Sequence, residues 1–194
     1  MDKAEIREYF NKLAPGWDDK DRRNDEIIGR ILENAQFSSG LRVLDVACGT
    51  GVMFPYYLKR DAKEIWGIDI SEEMIKIAKK KFAQPEIHLQ AVDAESFSDD
   101  CGFDRIMIYN AFPHFTEPEM LTAHLSGLLN KGGILTVAHS MSRKQLDLHH
   151  SGSARDVSRR LMPAAELGEL MGKYLKPCCI IDDERMYQVS AVKE

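Results

Sequence analysis

A buried strand that runs directly into a glycine-rich turn is the feature that most constrains this chain. The stretch VLDVACGTG opens with a mostly apolar run at residues 43–46, which is typical of a strand covered on both faces. Ala47, Gly49 and Gly51 follow at once. Such small residues permit tight turning of the backbone and the close approach of another molecule. We therefore expect a ligand to lie against this turn.

From residue 41 onward, strand-like and helix-like segments alternate. The strand-like segments are LRVLDVA, EIWGIDI, EIHLQAV, FDRIMIYN and GILTVAHS, and the helix-like segments are VMFPYYLKR, SEEMIKIAKKKF and EPEMLTAHLSGLLN. This alternation implies right-handed crossovers and a mostly parallel sheet with helices on both faces. Ser71 is expected to cap the second helix, and residues 131–133 (Lys-Gly-Gly) are expected to end the third before Ile134.

The last residues predict how the sheet ends. In CCIIDDERMYQVSAVK, two strand-like runs flank a charged turn at residues 182–185, which is typical of an antiparallel hairpin. The predicted fold class is therefore α/β, a Rossmann-like three-layer α/β/α sandwich with a mostly parallel seven-stranded sheet. A helix at about residues 2–13 and another around residues 27–35 precede the first strand, so they are additions to this core.

Composition and charge exclude several classes of protein. The net charge of −5 and the pI of about 5.7 argue against a nucleic-acid surface, and the basic run KIAKKKF has the spacing of a solvated helix face. No apolar stretch approaches the roughly 20 residues that span a bilayer, and MDKAEIREYF lacks the apolar centre of a signal peptide, so a cytoplasmic protein without membrane contact is expected. The four cysteines predict reduced thiols, with Cys178 and Cys179 as small buried hydrophobic residues.

Three carboxylates lie within, at the end of or just after successive predicted strands. Asp45 lies inside the first strand, Asp69 ends the second and Asp93 follows the third. Ligands of open parallel sheets bind beyond the carboxyl ends of the strands, where an acidic residue can accept hydrogen bonds from ribose hydroxyls. These groups suit a nucleoside. Two structural alternatives stay open: Asp45 only organises the glycine turn, and Asp69 only caps the next helix.

The order of these motifs carries a family resemblance. VLDVACGTG, GIDIS, VDAESF, FDRIMIYNAFPHF and LLNKGGIL together resemble the class I S-adenosylmethionine-dependent methyltransferases over residues 41–139. The resemblance implies that S-adenosylmethionine is the cofactor and S-adenosylhomocysteine the product. Its methionine part would lie at the glycine turn, its ribose at Asp69, its adenine at Asp93 and its sulfonium near Asn110. The implied cofactor-binding residues are Asp45, Ala47, Gly49, Gly51, Asp69, Ile70, Asp93, Ala94 and Asn110.

The implied activity is methyl transfer to a small-molecule acceptor, without nucleic-acid or membrane partners, by a monomer or homodimer. Alignment of acceptor, methyl and sulfur carries such a reaction, and a base is needed only if the acceptor must lose a proton. An oxygen, nitrogen, carbon or sulfur acceptor is compatible with the fold. The alternatives are a non-catalytic cofactor-binding regulatory or assembly subunit and a metal-assisted methyltransferase. Aminopropyl transfer is disfavoured because spermidine-synthase-like motifs are absent from the sequence.

The N-terminal segment REYFNKLAPGWDD resembles the lid of the small-molecule branch of this family, which includes ubiquinone and menaquinone C-methyltransferases. Tyr9, Phe10, Trp17 and Asp18 are the matching positions. A lid of this kind would exclude water from the cofactor. The alternative is that the aromatic residues only anchor the first helix.

Histidines cluster in the second half of the chain. His114 and His139 follow strands that should be neighbours, and both are expected to open into the cleft. Imidazole serves as a general base or as a metal ligand. The catalytic candidates are His114, His139, His149 and Trp17; the metal candidates are His114, His139, His149 and His150, although a divalent metal is not the expected cofactor. His88 and His124 are expected to be structural.

The segment HHSGSARDVSRRLMPAAELGEL has two interpretations. Arg155, Arg159 and Arg160 would bind an acidic acceptor, or the segment is a solvated insertion before a helix that starts at Pro163, which the pattern favours. With 44% hydrophobic residues in 194, one domain is expected over residues 1–194. Its expected parts are N-terminal lid helices (1–38), a cofactor-binding core (41–139), a substrate-side insertion and helix (140–176) and the terminal hairpin (177–194).

Overall fold

The computed structural model describes residues 2–20, 23–150 and 157–194, and of residues 20 and 147–150 it describes only the backbone. The strands are β1 (Arg42–Val46), β2 (Glu64–Asp69), β3 (Ile87–Ala91), β4 (Phe103–Tyr109), β5 (Leu129–His139), β6 (Lys176–Asp182) and β7 (Tyr187–Val192). The helices are α1 (Lys3–Leu13), α2 (Asp25–Asn34), α3 (Phe54–Leu58), α4 (Glu72–Lys81), α5 (Pro118–Gly127), α6 (Arg143–His150) and α7 (Ala164–Met171). Short 3₁₀ turns span Ala14–Gly16, Asp18–Lys20 and Phe112–His114.

These strands form one sheet in the order β3-β2-β1-β4-β5-β7-β6. The strands β1 to β5 pair in parallel, and β7 pairs antiparallel with both β5 and β6. The chain extends from β1 to β2 and β3 on one side and then returns to β4 on the other, so the strand order reverses between β1 and β4. Ligands of such sheets bind beyond the carboxyl ends at that reversal. The predicted sandwich with its terminal hairpin is confirmed.

Alternate residues of the central strands contribute to two separate cores. In β1, Leu44 and Val46 pack in the core that includes α5, α6 and α7, whereas Val43 packs in the core that includes α2, α3 and α4. In β4, Ile106 belongs to the first core and Met107 to the second. Side chains of a strand point alternately to the two faces of the sheet. The two cores therefore lie on opposite faces, as a three-layer sandwich requires.

The end of α5 differs from the sequence prediction. The helix was expected to continue to Asn130 and stop at the glycines, but it ends at Gly127 and β5 begins at Leu129. Leu129 pairs with Phe103 of β4, and the backbone of Gly132 donates to the carbonyl of Lys193 at 2.7 Å. These pairings with distant segments extend the strand backward. Gly132, with φ of 77°, accommodates an irregularity inside β5 rather than a helix end.

The prediction for the two late cysteines is wrong. Cys178 is exposed and Cys179 is only partly buried, because β6 forms the outer edge of the sheet. The burial expected of a small hydrophobic residue needs a neighbouring layer, and one face of an edge strand lies open. The lysine-rich face of α4 is exposed as predicted. Among the described residues, no helix is long and apolar enough to cross a membrane.

Replacing Gly67 in β2 by alanine is expected to destabilise the protein. A Cβ atom there would lie 2.5 Å from Phe54 Cζ and 2.8 Å from Leu89 Cδ2, inside a packed core. Overpacking of this kind costs about 1–3 kcal/mol, which urea unfolding measures.

The matched control is Gly29→Ala in α2, where the added Cβ meets nothing within 4 Å. This variant should gain up to about 1 kcal/mol, because alanine favours a helix more than glycine does. Equal free energies of unfolding for the two variants would contradict the tight packing around Gly67.

Candidate functional site

The glycine turn after β1 adopts an unusual backbone conformation. Ala47, Gly49 and Gly51 have positive φ values of 56°, 55° and 88°. A Cβ on Gly51 would lie 2.7 Å from both Phe54 Cδ2 and Phe82 Cε2, so only glycine fits. Gly49 and Gly51 carry no side chain beyond Cα, so another molecule can approach the backbone of the turn closely, while their N–H groups bond within the protein, to Asp69 and to the carbonyl of Cys48.

Asp69, at the end of β2, holds this turn in place. Its Oδ2 accepts a hydrogen bond from the backbone N–H of Gly49 at 2.8 Å, and its Oδ1 accepts one from Ser71 at 2.8 Å. Burial raises the pKa of Asp69 to about 6, although the two N–H groups favour the charged form. Ser71 caps α4 as predicted, since its Oγ accepts from the N–H of Met74 at 3.1 Å. One carboxylate thus joins the turn to the start of α4.

Asp45 lies beneath the turn. It is 2% exposed, and its Oδ2 has no hydrogen-bond partner within the described residues. Burial raises the pKa of Asp45 well above its usual value, and the nearby charge of Asp69 adds to that rise. The neighbouring Cys48 is also buried, which raises the pKa of its thiol and keeps it protonated.

Helix α1 crosses the carboxyl ends of β2 and β3. The Oδ1 of Asn11 accepts a hydrogen bond from Ser71 Oγ at 2.6 Å. One helix length away, Lys3 Nζ contacts Asp93 Oδ2 and Glu95 Oε2, each at 2.7 Å. Both ends of α1 therefore contact the segments that follow β2 and β3, where the sequence predicts that a ligand binds.

A second fastening joins the segment after α1 to the glycine turn. Asp18 accepts hydrogen bonds from Thr50 Oγ1 and from Lys81 Nζ, the latter at 2.8 Å. Burial would raise the pKa of Asp18, but the bonds to Lys81 and Thr50 prevail and lower it. Sequence reasoning assigned Lys81 only to a solvated face and did not find Asn11 or Thr50. Nothing in the local pattern marks these contacts, because their partners are 32 to 63 positions away.

The predicted aromatic positions meet above the turn. Phe10 contacts Tyr9, Trp17 and His114 edge to face, at ring-centroid distances of 5.3, 5.8 and 4.9 Å. Trp17 is 37% exposed, and its Nε1 lies 3.7 Å from where a Cβ of Gly49 would be. The aromatic cluster therefore lies over the glycine turn and reaches the segment after β4.

A cavity of about 270 Å³ separates α1 from the ends of β2 and β3. Ile70 and Asp93 line it together with Lys3 and Arg7 of α1. Ala94 is buried, at 7% exposure. The volume is slightly below the roughly 300–1,000 Å³ of ligand pockets, as expected of a site closed by α1.

Asn110 links the ends of β4 and β5. Its φ is 54°, its Oδ1 accepts from the backbone N–H of Ser140 at 3.0 Å, and its Nδ2 donates to Ser140 Oγ at 3.3 Å. Asparagine tolerates the left-handed conformation better than most residues. Asn110 is exposed at the reversal of strand order, where the sequence placed it.

The two histidines after neighbouring strands have different surroundings. His114 Nδ1 lies 2.8 Å from the carbonyl oxygen of Val157, and since a carbonyl only accepts, Nδ1 carries the proton. The His139 ring is fully buried against Tyr187, with a centroid distance of 5.9 Å, rather than open to a cleft as expected. Its burial favours a packing role.

Within the described residues, the remaining histidines do not join His114 and His139 in a metal site. His88 lies on β3 and His124 on α5, and His124 Nε2 is 2.8 Å from the carbonyl oxygen of Phe97. No group of three or more potential ligand side chains occurs among the described residues. The side chains of His149 and His150 lie outside them.

Comparison with known proteins identifies related sequences. A family model for a methyltransferase domain matches residues 43–133. An uncharacterized methyltransferase of Schizosaccharomyces pombe is 33% identical over 124 residues, which cover 55% of this chain and 41% of that protein. The ubiquinone/menaquinone biosynthesis C-methyltransferase of Campylobacter jejuni is 27% identical over 75% of this chain and 68% of that protein. The chain thus spans less than half of the first relative and about two thirds of the second.

A solved structure shows the same fold over the whole chain. Magnesium protoporphyrin IX methyltransferase from Synechocystis, solved with bound S-adenosylhomocysteine, has a TM-score of 0.72 and covers 100% of both chains at 17% identity. At this identity the comparison concerns the fold alone.

The raised pKa of Asp69 predicts a pH-dependent stability. An unfolded aspartate titrates near 3.9, so between about pH 4 and pH 6 the folded state binds the extra proton, and its stability falls as pH rises. Relative to Asp69→Asn, the wild-type free energy of unfolding should fall by about 1–3 kcal/mol from pH 4 to pH 7.

Urea unfolding of both proteins at several pH values measures this difference. The Asn variant is the control, because the many other carboxylates titrate equally in both proteins. A difference that stays constant across the range would mean that Asp69 ionises at its ordinary pH.

Proposed function

We propose that this chain, whose residues 43–133 match a methyltransferase domain, is a class I S-adenosylmethionine-dependent enzyme that transfers a methyl group to a small-molecule acceptor. The observation that carries the proposal is the linkage of the glycine turn to Asp69, with the Phe10–Trp17 pair above it, at the reversal of strand order. This arrangement offers a nucleoside-sized ligand a backbone surface, a carboxylate and a cover. The small-molecule acceptor agrees with the name of the Campylobacter relative, a ubiquinone/menaquinone biosynthesis C-methyltransferase.

The residues present fit this cofactor. The unpartnered Oδ2 of Asp45 is a buried carboxyl oxygen, and a hydrogen-bond donor at the methionine end of the cofactor would satisfy it. Each oxygen of Asp69 accepts one N–H and retains a lone pair, so Asp69 can hold the turn and accept ribose hydroxyls together. The structural and ligand-binding interpretations of Asp69 are therefore compatible.

The adenine end would occupy the cavity under α1. Ile70 supplies an apolar wall, and Asp93 with the following Ala94 supplies polar backbone and a carboxylate. The Asp93 side chain is engaged by Lys3, so an adenine amino group would share it or bind the neighbouring backbone. Asn110, fixed by Ser140, would border the sulfur end.

When bound, the cofactor would supply a methyl group carried on a positively charged sulfur. The lone pair of the acceptor forms the bond to the methyl carbon, and the sulfur keeps the electron pair of the sulfur–methyl bond that breaks. Phe10 and Trp17, with the segment that Asp18 attaches to the turn, would shield the bound cofactor from water. His114 contacts Phe10 and lies on the turn after β4, beside the reversal of strand order, and an imidazole there can act as a base or an orienting group. We assign His114, rather than the buried His139, as the base or orienting group for the acceptor.

Calorimetric titration with S-adenosylmethionine and S-adenosylhomocysteine tests the cofactor. Both should bind, and Asp69→Ala should weaken both by about 1–3 kcal/mol through loss of hydrogen bonds to ribose. The matched control is Asp100→Ala, an exposed carboxylate that precedes the amino end of β4, whereas Asp69 lies at the carboxyl end of β2. A folded protein that binds neither ligand would overturn the proposal, and unchanged affinity in Asp69→Ala would remove the ribose assignment.

The bond between Asp18 and Lys81 should slow cofactor release. Lys81→Ala removes the cation that holds Asp18 over the turn, so the dissociation rate of S-adenosylhomocysteine should rise about 2- to 5-fold, as for a partly exposed ion pair. Stopped-flow displacement measures that rate. Lys80→Ala, an exposed neighbour on α4, is the control. Equal rates for all three proteins would show that this contact does not hold the lid.

A non-catalytic subunit would share the cofactor site but not the transfer. Production of S-adenosylhomocysteine in the presence of a panel of small acceptors distinguishes the two functions. Tight product binding with no turnover on any acceptor would favour the non-catalytic alternative.

A further inference from the structure

A second cavity, of about 400 Å³, opens beside the 3₁₀ turn that follows β4. Its volume lies inside the roughly 300–1,000 Å³ typical of small-molecule pockets. The walls combine apolar side chains with guanidinium groups. The residues on which the argument rests are Phe112, Phe115, Met162, Arg143, Arg159 and Arg160.

The charges around this cavity are not balanced. Arg143 is paired, since its Nε lies 3.1 Å from Asp182 Oδ2. Arg159 and Arg160 are exposed, and within the described residues neither guanidinium group has an ion-pair or hydrogen-bond partner. One carboxylate, that of Glu166, also lines the cavity. In the part of the chain that the structure describes, two adjacent cations therefore remain available to an anion from outside the protein.

The chemistry of the lining points to one class of ligand. A guanidinium group binds a carboxylate through two parallel hydrogen bonds, and arginine is favoured wherever such planar recognition occurs. Phe112, Phe115 and Met162 would shield an apolar body from water. The cavity thus suits an amphipathic organic acid, with its carboxylate at Arg159 and Arg160.

Hydrogen bonds connect this cavity to the candidate methyl-transfer site. The backbone N–H of Arg159 donates to the carbonyl of Pro113 at 2.8 Å, and Nδ1 of the next residue, His114, donates to the carbonyl of Val157. The same histidine contacts Phe10 of the lid. A molecule in this cavity would therefore lie against the 3₁₀ turn that carries His114.

We propose that the methyl acceptor is a small organic acid with an apolar body, bound in this cavity through Arg159 and Arg160. This inference rests on the proposed methyl transfer. It gives a role to two of the three arginines that the sequence singled out. The third, Arg155, lies outside the described residues.

Binding to the protein saturated with S-adenosylhomocysteine tests the inference. The probes are octanoate and benzoate, their uncharged amides octanamide and benzamide, and inorganic phosphate. Both acids should bind more tightly than their amides, and octanoate more tightly than phosphate. The double variant R159Q/R160Q should weaken binding of the acids at least about 10-fold and leave binding of the amides unchanged.

The matched control is K144Q, which removes one positive charge from an exposed position beside Arg143. An equal loss in K144Q would mean that only net charge attracts the acids, and that result overturns the inference. Acids that bind no better than their amides, or phosphate that binds as well as octanoate, also overturn it. Thermal unfolding of each variant confirms that the protein remains folded.

Separate titration of S-adenosylhomocysteine keeps the two proposals distinguishable. If it binds and the acids fail, the acceptor class is wrong while methyl transfer stands. If S-adenosylhomocysteine fails to bind a folded protein, methyl transfer is wrong, and arginine-dependent binding of acids would no longer identify an acceptor.

Discussion

The site depends first on the two hydrogen bonds that the buried carboxylate of Asp69 accepts. One comes from Gly49 of the turn after β1 and the other from Ser71 at the start of α4. Burying a carboxylate costs free energy unless its oxygens accept hydrogen bonds. Asp69 can therefore be buried only because the two N–H groups bond to it. This arrangement fixes where the glycine turn lies relative to β2, and the covering contacts of the lid are built upon it.

Helix α1 and the segment after it are attached at three separated places, each joining a local element to a distant one. Lys3 reaches the end of β3, Asn11 reaches the cap of α4, and Asp18 reaches the glycine turn. Individual surface ion pairs stabilise a protein little, so such contacts direct the position of α1 more than they stabilise the fold. A cover that is attached by several weak contacts can open without unfolding the sheet beneath it.

The two proposed sites differ in chemistry because they occupy different sides of the strand reversal. The side of β2 and β3 offers carboxylates and backbone amides, which suit hydroxyl groups and a positively charged amino acid. The side of β4 offers Arg159 and Arg160 beside apolar walls, which suit an acid. His114, on the turn after β4, contacts the lid from this second side, so both substrates would meet near one imidazole.

The sequence by itself determined the alternation of strands and helices, the glycine turn and the carboxylates at the strand ends, because periodicity and backbone freedom are local properties. It did not determine where α5 ends, how exposed Cys178 is or which group Lys81 contacts. Those outcomes depend on partners distant in the chain: the pairing of Leu129 with Phe103, the edge position of β6 and the approach of Asp18. Only the tertiary structure brings such partners together, and it alone placed Arg159 and Arg160 beside an apolar cavity.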